Sequence, residues 1–300
     1  MSRPLTVLLA VDEITSELTE DDQHFAAALE RHGAHVAPLR WGGSVATGAV
    51  VVIRSTWDYI DRPTVFAQWL ELLEAAHATV HNSIALLRWN MHKRYLVELA
   101  RRGVPTVPTR LVRSGEHVDL SILRAELGWH ELVVKPAIGG TARLAEHSGR
   151  VGLASLQEHL DHVLRREDAL IQPFVESIAT SGEISVIAIA GEPCLAIRKS
   201  PAPGDWRTQT EFDGTAVSVP LTASLEHIAT AALGALDTTP AYARIDVTGD
   251  ASDHRLVELE LIEPELFFRF DPTVADRLAQ HVLDGAAPRR APPVSRQSPT

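Results

Sequence analysis

The feature that most constrains the fold is a change of pattern at Glu183. Before it, apolar runs of strand length alternate with stretches of helical periodicity; after it, the pattern turns mostly to strands separated by turns. Such a chain is predicted to be α/β with α+β lobes. Its 300 residues also exceed what one hydrophobic core usually serves, so two or three lobes are expected.

Leu5 to Val11 reads as a buried strand and Asp21 to His32 as a helix stopped by Gly33. His35 to Leu39 and Ala49 to Ile53 add two strands, and Asp61 as N-cap with Pro63 in the first turn opens a helix to Ala76. Residues 1–88 are therefore expected to form an open α/β domain with a parallel sheet. Lys93 to Arg102 is helical, and Val104 to Pro108 is extended because each proline restricts the residue before it. A second domain is expected over 89–285, with a small lid lobe at about 106–172. Strands at Thr109 to Val112, Glu131 to Lys135 and Ala169 to Val175 and helices at Asp119 to Leu127 and Ser155 to Arg165 mark that lobe. Later strands fall at Ile184 to Ala190, Cys194 to Lys199, Ala241 to Val247 and His254 to Ile262. Ser200 to Gly214 reads as a long loop, and the tail, rich in Pro, Ser and Arg from Gly285 onward, is expected to be disordered over 286–300.

Bulk properties exclude several functions. A formal charge of -11 argues against a phosphate-backbone binder, so a small-molecule partner and no nucleic acid are expected. One cysteine rules out an intramolecular disulfide, and Cys194 reads as a buried small hydrophobe. Neither a signal peptide nor an apolar run of ~18 residues is present, which predicts a cytoplasmic protein without a membrane span. A homodimer is left open.

Three constellations carry chemistry. The strand Val133-Val134-Lys135 runs into Gly139-Gly140-Thr141, bringing an ammonium and free backbone N–H groups together as a phosphate needs, although strand ends with paired glycines are also common in plain turns. Arg244 and Asp246 share one face of a strand, as do Glu258 and Glu260 on the next. Paired, they bring three carboxylates together, which suits a hard divalent cation; the plain alternative is a hairpin with a solvated acidic side. Gln172 to Glu176 is a strand turning into a connector, where backbone groups at Phe174 and Val175 can meet an adenine edge, and Glu183 can accept a ribose hydroxyl. At the carboxyl end of an N-terminal strand, where open α/β sheets take ligands, Arg54, Ser55, Trp57 and Asp58 offer a carboxylate fork, a flat wall and an anion for an ammonium group.

The order of these pieces resembles the ATP-grasp superfamily, in particular its glutathione synthetase and ribosomal-protein glutamate ligase branch. That resemblance implies an ATP-grasp architecture, with an N-terminal parallel-sheet domain and two lobes clasping ATP. It makes Lys93 and Lys135 phosphate contacts, Gly139 to Thr141 a closing loop, and Gln172, Phe174, Val175 and Glu183 nucleotide contacts. It makes Asp246, Glu258 and Glu260 ligands of two Mg²⁺ ions, with Mn²⁺ as an alternative metal, and Arg198, Lys199 and Arg244 the cations that catalyse phosphoryl transfer. The family commonly shows Glu-x-Asn where this chain has Glu258-Leu259-Glu260. Further segments, among them Arg88-Trp89-Asn90-Met91 and Glu263-Pro264-Glu265, resemble a subgroup that includes the cyclo-ligase closing O-ureido-D-serine to D-cycloserine. The implied activity is an ATP-dependent ligase that turns a carboxylate of a small amino-acid-like substrate into an acyl phosphate for attack by nitrogen. An intermolecular amino-acid ligase, a kinase-like phosphotransferase and a non-catalytic nucleotide-binding regulator are the rival readings.

Overall fold

The computed structural model describes residues 4–13, 17–140, 143–202, 204–207, 213–249 and 253–286. Its N-terminal part runs β1 (Thr6–Val11), α1 (Glu20–Arg31), β2 (His35–Arg40), β3 (Val50–Ser55), α2 (Pro63–Ala75) and β4 (Thr79–His81). The strands form a parallel sheet in the order β2-β1-β3-β4, as the sequence pattern predicts. Helix α1 begins where Thr19 Oγ accepts the Asp22 N–H at 3.1 Å. Asp61 is not the N-cap of α2: Arg62 holds that position without a side-chain cap, and Asp61 closes a 3₁₀ turn from Trp57 and pairs with Arg143 at 3.2 Å.

Two short helices, α3 (Ile84–Asn90) and α4 (Tyr95–Arg101), lead into the small lobe. There β5 (Arg110–Val112), α5 (Leu120–Leu127), β6 (Leu132–Pro136), β7 (Glu146–His147), α6 (Ser148–Val151), α7 (Leu153–Leu164) and β8 (Ala169–Pro173) follow in turn. The sheet is antiparallel in the order β5-β8-β6-β7, and Val134, Ile171, Leu156 and Leu160 pack in the core between it and the helices. Strand β8 stops two residues earlier than expected, and Phe174 and Val175 connect it to α8 (Glu176–Ser181), a helix the pattern does not predict.

The last part contains β9 (Glu183–Ile189), β10 (Glu192–Ser200), β11 (Thr215–Val219), α9 (Ala223–Gly234), β12 (Tyr242–Thr248), β13 (Arg255–Glu260) and α10 (Pro272–Ala286). Neither α9 nor α10 was expected from the pattern, although Val274, Leu278 and Val282 recur every four residues on one face of α10. Gly285 and Ala286 belong to α10 rather than to a disordered tail, and 287–300 lie outside the described residues.

These strands make an antiparallel sheet in the order β11-β10-β9-β12-β13. One face, with Val186, Ala188, Ala243 and Ile245, packs on α3, α4 and α9. On the opposite face Ile187, Ile189, Leu195, Ile197 and Tyr242 dock against β1, β3, α1 and α10. Buried polar groups fix that docking: Asn82 donates to the carbonyls of Tyr242 and Leu261 at 2.8 and 2.9 Å, and the Tyr242 hydroxyl donates to Ile53 O at 2.6 Å. Strand alternation keeps the face constant along each strand, so the side chains beyond this apolar patch emerge on the same side and enter a cleft.

Candidate active site

The far end of that face is charged. Glu183 and Ser185 come from β9, Lys199 from β10, Arg244 and Asp246 from β12, and Glu258 and Glu260 from β13. Registry makes neighbours of them: Asp246 lies opposite Ser185 on one side and Glu258 on the other, Arg244 opposite Glu260, and Lys199 opposite Glu183. A bulge between Asp246 and Val247 resets the register just beyond these pairs.

Every carboxylate of the metal-type set is met by a cation of the chain itself. Lys93, on the turn before α4, pairs with Glu258; Arg244 pairs with Glu260 and with Asp246 at 3.1 Å; Lys199 reaches Glu183 at 2.6 Å and Asp246 at 3.4 Å. Burial opposes the charge on Asp246, yet Arg244, Lys199 and the Ser185 hydroxyl hold its carboxyl well below the usual range. Burial likewise works against Arg244 and Lys199, and the surrounding carboxylates outweigh it, raising both. Among the described residues no three acidic or metal-type side chains converge as ligands in this arrangement, because lysine and arginine occupy the places between them. The donor set itself, all carboxylate oxygen and on one face, fits a hard divalent cation once those cations withdraw.

Lys135 differs. It ends β6 on the opposite wall, forms no ion pair among the described residues, and burial, helped by the nearby Lys93 charge, lowers its ammonium to about 7. Gly139 and Gly140 follow at the cleft edge, where an added Cβ at either would meet nothing within 4 Å. Thr141 lies outside the described residues. Gln172 lines the cleft with its side-chain amide tied to Thr109 Oγ1 at 2.8 Å. Phe174 and Val175 line the cleft between β8 and α8, the Phe174 ring stacked on His147 at 4.5 Å, with Trp206 edge-on to His147 at 5.4 Å.

Several expected residues do not reach the cleft. Arg54 is only 2% exposed, held by Asp22 at 2.9 Å and Asp21 at 3.1 Å, so it is no open fork for a substrate carboxylate. Ser55 donates to Asp22 at 2.7 Å, and Asp58 turns into the N-terminal domain to meet Trp41 and Arg62. Of that group Trp57 alone lines the cleft, its indole N–H donating to Glu263 O at 3.2 Å. Arg198 points to the face opposite Lys199, as strand alternation requires, and donates to Ser181 O at 2.9 Å.

Cleft residues not assigned a role beforehand include Arg143, Trp206, Arg207, Glu263, Glu265 and Phe267, with His147 packed against Trp206. An aromatic in a Pro- and Gly-rich loop was the available signal for Trp206, and a Glu-Pro-Glu just past the acidic strand was the signal for Glu263 and Glu265. Burial and the neighbouring Glu260 charge push the Glu263 carboxyl up to about 8.

Comparison with known proteins identifies the family. Residues 7–82 match the family described as D-cycloserine synthetase DcsG, N-terminal domain, and residues 105–269 match prokaryotic glutathione synthetase, ATP-grasp domain. The chain is 29% identical over 257 residues to the cycloserine biosynthesis protein DcsG of Streptomyces lavendulae, covering 79% of this chain and 83% of that protein. It superposes on the crystal structure of D-cycloserine synthetase DcsG with a TM-score of 0.83 and 26% identity, covering 94% of this chain and 99% of the other. The fold extends to D-alanine–D-alanine ligase from Bacillus anthracis, with a TM-score of 0.67 at 15% identity over 94% and 97% of the two chains. With the lysines and the acidic strand pair in one cleft, the chain belongs to the ATP-grasp family of prokaryotic glutathione synthetase type and is an ATP-dependent ligase that forms carbon–nitrogen bonds.

Proposed function

We propose that the chain is a cyclo-ligase that closes O-ureido-D-serine toward D-cycloserine. The observation that carries this reading is likeness to the same cycloserine-forming relative in both parts of the chain, the N-terminal domain included, which supplies Trp57 to the cleft. Trp57 is a flat apolar wall, Glu265 beside it is an anion suited to an α-ammonium group, the role Asp58 does not fill, and Glu263, kept largely protonated by burial and Glu260, adds a neutral carboxyl.

A carboxylate resists nucleophiles because its charge is delocalised, and transfer of the γ-phosphoryl group of ATP to one of its oxygens creates a leaving group. Lys93 and Lys135 hold the phosphates, and Phe174, Val175, Gln172 and Glu183 hold the adenine and ribose end. Lys199 and Arg244 meet the charge that spreads over the transferring group. Asp246, Glu258 and Glu260 would hold two Mg²⁺ ions, which would neutralise phosphate charge. Lys93 and Arg244, which pair with Glu258 and Glu260, are the cations placed to meet phosphate oxygens. The oxygen-linked nitrogen of the same molecule then attacks the acyl carbon and phosphate leaves. Closure, with loss of that nitrogen's proton, leaves the carbamoyl group on the ring nitrogen. Hydrolysis with water releases it as carbamate, which breaks down to CO₂ and ammonia, to give the free ring.

The test is ADP release with O-ureido-D-serine as sole co-substrate, with the product identified by mass spectrometry. ADP and a ring product without any added amine are expected. A strict requirement for a second amine would leave an intermolecular ligase, and a stable phosphorylated product would leave a phosphotransferase.

A further inference from the structure

Arg54 and Asp21 are buried and do not touch the cleft, yet they end on it. Asp21, 7% exposed in the first turn of α1, accepts Arg54 Nη2 at 3.1 Å and the Leu266 N–H at 2.8 Å on one oxygen, and the Phe268 N–H at 2.8 Å on the other. Arg54 is fixed in turn by Asp22 at 2.9 Å and lies over the rings of Tyr242 and Phe268. Between the two captured N–H groups stands Phe267, in the left-handed region at φ 57°, a conformation a bulky residue keeps only when its surroundings impose it. Phe267 borders the cleft with its side chain packed in the core at 2% exposure, and Glu263 and Glu265 just before it line the cleft. On the far side Arg269 lies over the rings of Phe267 and Phe270 and pairs with Glu265.

We propose that Asp21, locked by Arg54, is a positioning residue for the substrate wall: by gripping the backbone on both sides of Phe267 it sets where Glu263 and Glu265 meet the amino-acid substrate. It rests on the reading of that wall as the amino-acid subsite. One carboxylate of the N-terminal domain thereby ties the amino-acid end of the cleft to that domain, while the nucleotide end is built without it. Asn at this position keeps the size but only one accepting oxygen, so one of the two N–H groups is released.

In the full chain, Asp21→Asn is expected to raise KM for the amino-acid substrate by about tenfold, while affinity for ATP changes less than about twofold. Arg54→Lys, which keeps the charge and loses the fork, should move KM the same way by less. In a Phe267→Gly background the further cost of Asp21→Asn should fall below about twofold, because glycine holds a positive φ without the clamp. Amide exchange at Leu266 and Phe268 should quicken in Asp21→Asn whichever substrate the enzyme takes. That readout separates the two ideas, since wild-type protein that releases no ADP with O-ureido-D-serine sinks only the substrate assignment. Equal losses of amino-acid and ATP affinity, an undiminished cost in the glycine background, or unchanged exchange at those two amides would each overturn the positioning role.

Discussion

Ile197 and Lys199 stand on the same strand and the same face, two residues apart, yet one is core and the other chemistry. The end of the sheet holding Ile187, Ile197 and Tyr242 lies under the N-terminal domain and is dry and apolar. The end holding Glu183, Lys199, Asp246 and Glu260 runs past that cover into the cleft, where cations and carboxylates pair. Burial of ion pairs is poor evidence for stability, since desolvation consumes much of the Coulomb gain. The charged end is thus arranged for a ligand, whereas the apolar end holds the domains together.

The sharpest way to break this division is Glu258→Gln. The exchange should lower kcat by about a thousandfold without restoration at high Mg²⁺, while the melting temperature barely moves, because the carboxylate acts where phosphoryl charge develops. A near wild-type rate of ADP release would remove Glu258 from the reaction. At the other end of the sheet Ile187→Ala should behave oppositely, losing about 2–5 kcal/mol in a urea melt with kcat per folded molecule unchanged. Loss of rate without loss of stability there would erase the distinction.

Lys135, on the wall facing the charged end, sharpens the comparison, since it has no ion-pair partner among the described residues. Lys135→Met should weaken ATP binding by about tenfold or more in calorimetry and stabilise the unliganded protein. The sign of the pH dependence follows from burial. The unfolded chain takes up this proton in the ordinary lysine range and the folded chain only near about 7, so the unfolded state binds more protons in between. Wild type therefore loses stability to the variant as pH falls from about 10 toward 7, and the gap is constant below that. Urea melts at several pH values in this range check it, and a flat difference would mean the ammonium is solvated. ATP binding near pH 8 should also carry proton uptake in wild type and none from this site in the variant.

The smallest effect is expected at Arg198. Next to Lys199 in sequence but on the other face, Arg198→Gln should leave kcat and KM within about twofold, as surface changes usually do. A loss comparable to that of Lys199→Gln would mean the arginine swings into the cleft during turnover.

Much of this was legible in the sequence. The parallel N-terminal sheet followed from alternating strand and helix patterns, and the common face of Arg244, Asp246, Glu258 and Glu260 from a period of two, because both signals are local. The same period correctly separates Arg198 from Lys199, although the family resemblance places both at the phosphates. Arg54 shows the limit. Its position after a buried strand points to the crevice, but the first turn of α1, 32 and 33 residues earlier, brings Asp22 and Asp21 against it.

By itself the sequence determined which residues share a face, where most strands run and which charges are available, since these depend on backbone geometry and near neighbours. Tertiary structure decided which stretch of a face is covered and which is open. It made Arg54 an internal strut, left Trp57 as the contribution of its segment to the cleft, and brought Trp206, Glu263 and Phe267 to the site. Burial, and with it the lowered Lys135 and the raised Glu263, depends on which distant surface packs against a group, and no local period encodes that partner.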